Sequence, residues 1–391
     1  MSQLLNERWS ETKDALLEGL QGNRKASMSV CLENTRKYLA EAATSGATSS
    51  GNIATLNRVI LPVIRRVMPT VIANEIIGVQ PMTGPVGQIH TLRVRYADSS
   101  NEVVAGEEAL SPFKIAQAYS GNDNSSTPKA AATSALEGRP GNRMSIQILK
   151  ASVEAKSRKL SARWTFEAAQ DAQAQQGIDI EAEIMAALAQ EITAEIDQEI
   201  LASLRALASI EATYDQSLVS GTATFVGDEH AALAILINRV ANLIAQRTRR
   251  GAANWAVISN QALTLLQSAT TSAFARTTEG TFEAPTNTKF VGTLNNAMRV
   301  YVDAYKSDTD DDNQILVGYK GPSEADAPAF YCPYIPLMSS GVVLDPNTFE
   351  PVVGFLTRYG YLELNNTASS LGNAADYLGK VKIVSANVSF Q

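Results

Sequence analysis

The sequence predicts an α+β protein whose long helices and strand-rich C-terminal third lie in separate blocks. Three observations lead there. The run "IDIEAEIMAALAQEITAEIDQEILASLRALAS" carries neither Gly nor Pro and would make roughly 45 Å of helix at the standard rise. Toward the C-terminus, apolar β-branched segments follow one another between turns: "AMRVYVDAY", "NQILVGYKG", "AFYCPYIPLM", "PVVGFLTRYGYLEL" and "GKVKIVSANVSF". Between these regions and the N-terminus, a strand at "QIHTLRVRYA" precedes a long polar excursion and a returning alternation at Met144, Ile146 and Ile148. That pattern reads as a two-stranded arm.

At 391 residues, 45% hydrophobic and 19% charged, the chain can form two or three domains, or one elaborated domain, around a sizeable core. A net charge of −7 argues against a protein whose work is gripping nucleic acid, which needs a concentrated basic surface. Cys31 and Cys332 belong to no paired spacing, so neither a disulfide framework nor a zinc knuckle is expected. A reducing compartment is their natural setting. The opening "MSQLLNERWSETKDALLEGL" is too acidic for a signal peptide, and no run of about 18 apolar residues is long enough to span a membrane. The expectation is a soluble chain made in a cytoplasm.

In chain order, residues 1–41 read as amphipathic helix interrupted at Gly22, with Leu4, Leu5, Trp9, Leu16, Leu17 and Leu20 among charges. "EAATSGATSSGN" has the composition of a linker. The apolar run after it contains Pro62 and Pro69, which predicts short helices rather than one straight one. "GVQPMTGPVG" then packs Gly78, Pro81, Gly84 and Gly87 into the passage from helix to strand. Residues 98–143 show no face to bury, so the arm is expected to need a partner surface.

Asp179 is the expected N-cap of the long helix, and Glu181 and Glu183 suit its positive end. Its apolar residues Ile180, Ile184, Leu188, Ile192, Ile196, Ile200 and Leu204 recur every fourth position. Each step overshoots a full turn by about 40°, so the stripe drifts around the helix and would cross several neighbours. A further helix spans Asp228 to Gln246, with Leu233, Leu236, Ile237, Val240 and Ile244 inward. Arg247, Arg249 and Arg250 suit its C-terminal end, and Gly251 is a candidate cap. "NWAVIS" reads as a buried strand and "NQALTLLQSA" as a helix.

No active site assembles from these residues. His90 and His230 have no nearby Cys or His and read as surface or structural. "DTDDDN" at 308–313 lacks the glycine and glutamate that a calcium loop needs at its sixth and twelfth positions, where Asn313 and Tyr319 stand. "GPVGQ", "EGRPGNR" and "VGYKGP" match neither a P-loop nor a dinucleotide fingerprint. Catalytic residues, cofactor and metal are all expected to be absent. The cluster Lys156, Arg158, Lys159 and Arg163 lies near Glu154, Glu167 and Asp171, which favours inter-chain salt links over phosphate binding.

Several segments together resemble the major capsid protein of T-even-type tailed bacteriophages. They are "GVQPMTGPVGQIHTLRVRY", "EAKSRKLSARWTFEAAQDAQAQQGIDIEAEIMAALAQEITAEID", "RRGAANWAVISNQALTLL", "RVYVDAY", "VGYKGPSEADAPAFYCPYIPL" and "PNTFEPVVGFLTRYG", running in order from about Asn57 to Gly360. The resemblance implies a Hong Kong 97-type capsid fold, α+β, with these parts: a helical segment and candidate propeptide at 1–41, an N-terminal arm at 42–83, an extended loop at 84–160, a peripheral domain with the spine helix at 161–225, an axial domain at 226–355, and a return to the peripheral domain at 356–391. Gly78, Pro81, Gly84 and Gly87 would form the arm-to-loop junction. Lys156, Arg158 and Arg163 would be candidate inter-subunit ion pairs.

A maturation protease of that family cuts after glutamate in a Leu/Ile-x-Glu context, which Leu39-Ala40-Glu41 offers. Family members carry a large insertion in the extended loop. Here only the polar stretch at 98–143 stands in its place, which leaves room for a separate decoration protein. The implied partners are copies of the chain in hexameric capsomers of an icosahedral shell, a vertex protein or pentamers of the same chain, a portal, a scaffold and the protease. Packaged DNA would be touched weakly, and no membrane is involved. The alternatives are a pentameric vertex paralogue and, from a different class, an encapsulin-like nanocompartment shell.

Overall fold

In the computed structural model of the chain, the residues described are 9–10, 13–18, 20, 22–44, 71–99, 103–107, 109, 119–121, 130, 132–138, 141–176, 180–215, 226–248, 250–269, 274–276, 289–295, 297–303, 305, 313–324, 326–345, 347–348, 350–364 and 373–384. Its helices are α1 Gly22–Thr44, α2 Ala73–Ile76, α3 Thr133–Leu136, α4 Phe166–Gln176, α5 Ile180–Leu207, α6 Val226–Thr248 and α7 Asn260–Ser268. The first strands are β1 Gly78–Val79, β2 Val86–Tyr96, β3 Met144–Glu154, β4 Lys156–Arg163, β5 Ile210–Asp215 and β6 Trp255–Ile258. They are followed by β7 Phe274–Arg276, β8 Lys289–Leu294, β9 Met298–Val302, β10 Gln314–Gly318, β11 Ala329–Leu344, β12 Pro351–Glu363 and β13 Leu378–Val384. The α+β expectation holds. The linker read at 41–52 begins inside α1, which runs on through Thr44; its remainder at 45–52, Asp179, Pro62, Pro69 and residues 308–312 lie outside the described residues.

The chain forms two units and passes between them at 87/88, 152/153, 202/203, 329/330 and 362/363. The first unit holds a four-stranded sheet in the order β1-β11-β12-β4. β1 runs parallel to β11 with Gly78 opposite Phe330, and β12 runs antiparallel to β4 from Val352 opposite Arg163 to Tyr359 opposite Lys156. On edge strand β4, Lys156, Lys159 and Arg163 are exposed, charges that deter further strand pairing. Met28, Cys31 and Leu32 of α1 are fully buried, so the N-terminal helix is part of this unit's core.

From α5, the row Leu188, Ile192, Ile196 and Ile200 is buried together with the adjacent row Met185, Ala189, Thr193, Asp197 and Leu201. The four-residue stripe therefore gains its width from a second row beside it. Ile180 and Ile184, at its start, stay partly exposed.

The second unit centres on a seven-stranded mixed sheet in the order β5-β13-β10-β6-β9-β8-β7. β13 pairs parallel with β5 and β6 parallel with β9, while β10 runs antiparallel to both β13 and β6. Helix α6 lies across β13, β5 and β10, and its Leu233, Ile237, Val240 and Ile244 are fully buried. It comes this close because Gly379 of β13 lacks a side chain: a Cβ there would fall 2.4 Å from Val240 Cγ1. Gly251 does not cap α6. Its φ is not left-handed, and it is instead the place where Tyr319 crosses the backbone, 2.8 Å from where a Cβ would lie. Arg250 pairs with Asp326 at 2.5 Å and Arg247 with Asp376 at 3.5 Å, which ties the end of α6 to its surroundings.

β2 and β3 form the two-stranded arm that the alternation predicts. Beyond them the structure departs from the expectation of a segment with nothing to bury. Tyr96, Val103, Ala109 and Tyr119 are all buried in a small core of their own, with Val94 against it. The two tyrosine rings lie 4.5 Å apart, and the Tyr119 hydroxyl donates to the Arg143 carbonyl at 2.5 Å. Asp98 closes this core from outside, accepting from the Arg143 backbone at 2.8 Å and from its guanidinium at 3.1 and 3.3 Å.

Candidate functional site

The residues with chemical potential are quiet. Burial pushes the thiols of Cys31 and Cys332 up to about 12, so neither is a thiolate at neutral pH. His90 is exposed on β2. His230 is buried, with Nδ1 2.6 Å from the Ser268 hydroxyl, as suits a histidine that packs. Among the described residues, no cluster of three His, Cys, Asp or Glu side chains could hold a metal ion.

The junction is built with more care. Gly78 and Val79 pair with β11, and the ladder continues as Gln80 N–H donates to Tyr331 O and Met82 N–H to Pro333 O, both at 3.0 Å. Pro81 falls between these two donors, where its missing N–H leaves nothing unsatisfied. Gly87 sits at a close approach: a Cβ there would fall 3.1 Å from Val153 Cγ1, a tight contact that the valine would have to relieve by a few tenths of an ångström. At Gly84 a Cβ would meet only the Val86 carbonyl at 3.9 Å, so no steric demand acts there. Ala155 N–H donates to Pro85 O at 2.9 Å, closing the base of the arm.

Two residues that sequence reasoning missed hold this junction. Asp197, buried in α5, accepts from the backbone of Ile72 at 2.9 Å, just ahead of α2. Asn34 of α1 donates its amide to Met82 O at 2.6 Å and to Tyr334 O at 3.1 Å. Partners 48 to 300 residues away in sequence leave no local signal at Asn34.

The basic strand divides its charges. Arg158 is engaged within its own chain: its guanidinium donates to Glu195, Glu199 and the Tyr359 hydroxyl, each at 2.6 Å. Tyr359 also donates to Glu199. Partial burial works to raise the Glu199 carboxyl, but the bonds from Tyr359 and Arg158, with the charge of Arg158, outweigh it and hold the group below its usual range. Arg163 reaches Glu350 at only 3.8 Å and is largely exposed, as is Lys156.

The arm carries a row of exposed apolar side chains. Met144, Ile146 and Ile148 alternate along β3 and therefore share one face, and they are 53%, 68% and 66% exposed. Scattered single exposures are ordinary, whereas three in register on a narrow arm make a continuous apolar row.

The family described as major capsid protein Gp23 matches residues 53–139 and 124–383 of this chain. The chain belongs to the major capsid protein Gp23 family. Curated members of similar sequence include the major capsid protein of Enterobacteria phage T4, 30% identical over 83% of this chain and 78% of its own length. Another is that of Vibrio phage KVP40, 28% identical over 84% of this chain and 80% of its own. Among solved structures, the mature capsid of bacteriophage PhiM1 overlaps 79% of this chain and 84% of its own at 14% identity, with a TM-score of 0.45. The capsid of Myoviridae phage XM1 overlaps 79% of this chain and 90% of its own at 10% identity, with a TM-score of 0.43. As a family member the chain is a major capsid protein, and its place is the capsid of the virion. A major capsid protein self-assembles into a multi-subunit shell.

Proposed function

We propose that this capsid protein builds the icosahedral head shell around the double-stranded DNA of a tailed phage, as hexameric capsomers of Hong Kong 97-type subunits. The observation that carries this reading is the apolar face of β3, displayed on an arm too narrow to bury it. The arm lies over a neighbouring copy and covers Met144, Ile146 and Ile148, and many such weak contacts add by multivalency. Residues 1–41 are a propeptide cut after Glu41, 42–83 the N-terminal arm, 84–160 the extended loop, 161–225 the peripheral domain with the spine helix, 226–355 the axial domain and 356–391 a return to the peripheral domain. Gly78, Pro81 and Gly87 set the path from arm to loop, and Gly84 lies on that path without a steric demand of its own.

Lys156 and Arg163 supply inter-subunit ion pairs, and Arg158 supports them from its own intrachain cluster. The role is structural, without catalysis or cofactor. A vertex protein or pentamers of the same chain, a portal, a scaffold, a maturation protease and a decoration protein complete the particle. The net charge of −7 leaves DNA contact weak.

Sedimentation with negative-stain imaging across concentration tests the reading. Six-fold rings, tubes or closed shells are expected. Rings of five-fold symmetry alone would assign the vertex role instead. A strict monomer or dimer, even with the phage's scaffold and assembly chaperone co-expressed, would overturn the proposal.

A further inference from the structure

We infer that the outer face of α6 is a docking surface for the β5 edge of a second copy of this chain. Leu233, Ile237, Val240 and Ile244 turn inward to the seven-stranded sheet. Away from it, Ile235, Asn238, Arg239, Asn242, Leu243 and Gln246 line an open cavity of about 400 Å³. Ile235 is 69% exposed, the highest value among the large apolar side chains described. Asn238, Asn242 and Gln246 recur every fourth residue, so their amides stand in a row about 6 Å apart. Asn295, left-handed at φ 52° between β8 and β9, donates to Asn238 Oδ1 at 2.8 Å and holds that amide in place. Each amide of the row carries both a donor and an acceptor.

β5 ends the strand order of its sheet, and its strand partner among the described residues is β13. In a parallel pair, alternate residues turn N–H and C=O to the neighbour, so every second residue of β5 turns its own outward. At about 3.3 Å per residue, those outward groups recur about every 6.6 Å. Over three groups the amide row and the strand edge differ in length by about 1 Å. An open edge leaves N–H and C=O groups to be paired, and amides supply both kinds of partner. Charge agrees with this occupant. Arg239 has no carboxylate partner among the described residues, whereas Glu211 of β5, although bonded to Lys380, leaves its side chain 66% exposed. A helix face set on a strand edge joins two different patches, so the contact is heterologous, and such contacts close rings when repeated about an axis. The inference rests on the capsomer reading above and names one contact that closes the ring.

Cross-linking of the assembled full-length chain tests the contact. Thr213 on β5 and Asn242 on α6 are both exposed, while Cys31 and Cys332 are buried. Chains carrying Thr213→Cys and chains carrying Asn242→Cys are co-assembled and treated with a short bismaleimide. Dimers joining the two variants are expected at about tenfold or more the yield from either variant alone, as a heterologous contact requires. Rings or shells without that cross-link overturn the interface. So does a cross-link in Asn242→Cys alone, which would set α6 against its own copy. Should the variants fail to assemble, the wild type carries the test: the outward amides of β5 should exchange roughly three- to tenfold more slowly in rings or shells than in free subunits. Unchanged exchange along β5 overturns the interface. Sedimentation reports assembly separately. Shells with an open β5 edge refute this contact alone, whereas absence of any assembly refutes the capsomer reading and the contact with it.

Discussion

Gly360 in β12 is where the base of the arm is packed without tolerance, and Gly360→Ala puts a magnitude on it. A Cβ built there falls 2.4 Å from Val153 Cγ2, 3.2 Å from the Glu154 carbonyl oxygen and 3.5 Å from Met82 Sδ. Carbon atoms rest at about 3.5–4.0 Å, so Val153 would have to yield by about an ångström. Its freedom is small. Val153 is only 4% exposed, and its other methyl faces Gly87, 3.1 Å from where that residue's Cβ would be. The carbonyl of Glu154 is backbone and cannot rotate away. Overpacking of this kind costs about 1–3 kcal/mol. Urea unfolding of the subunit, followed by tryptophan fluorescence, measures it. Val153→Ala removes the offending methyls, so the double variant should recover about 1 kcal/mol relative to the sum of the singles. A cost for Gly360→Ala below about 0.5 kcal/mol, or a strictly additive cycle, would refute the packing argument.

Three further outcomes are expected. Gly318→Ala drives a methyl to 2.2 Å from Trp255 Cζ2 and 2.7 Å from its Cη2, against a rigid indole that is 2% exposed. It should cost about 3 kcal/mol and shift the Trp255 emission, and a near-neutral result would mean that β10 can slide. Arg158→Met tests the Glu199 cluster by pH. Because the folded Glu199 carboxyl is held below its ordinary value of about 4.3, its stabilisation is present above that pH and lost as pH falls through the folded value. The stability gap between wild type and Arg158→Met should therefore shrink on acidification from about pH 7 to below about pH 4, and a constant gap would count against the assignment. Ile146→Ser with Ile148→Ser should leave subunit unfolding within about 0.5 kcal/mol, since both side chains are already in water, while abolishing rings and shells in the sedimentation assay. Undiminished assembly would show that this face of β3 is not the contact.

What could be read from the sequence was what repeats locally. The Gly- and Pro-free run became α5 at Ile180–Leu207, and the helix expected at Asp228 to Gln246 became Val226–Thr248. The strand alternation at Met144, Ile146 and Ile148 became β3. The tip core was hidden because Tyr96, Val103, Ala109 and Tyr119 are spaced 6 to 10 residues apart, at no helix or strand period. Gly251 was misread because a glycine after a helix looks the same whether it supplies a left-handed turn or room for a ring from elsewhere. The partners of Arg158 come from α5 and β12, and those of Asn34 from the junction and β11. No window of sequence contains both ends of such bonds.

The buried tyrosine pair at the end of the arm bears on the entropy of assembly. Ordering a backbone residue costs about 1–2 kcal/mol, and a floppy ribbon would meet that cost at the moment of contact. Here Tyr96, Tyr119 and the Asp98–Arg143 pair settle it during folding. Whatever surface these residues meet, they arrive already packed against one another, and that share of the ordering cost does not fall on the contact.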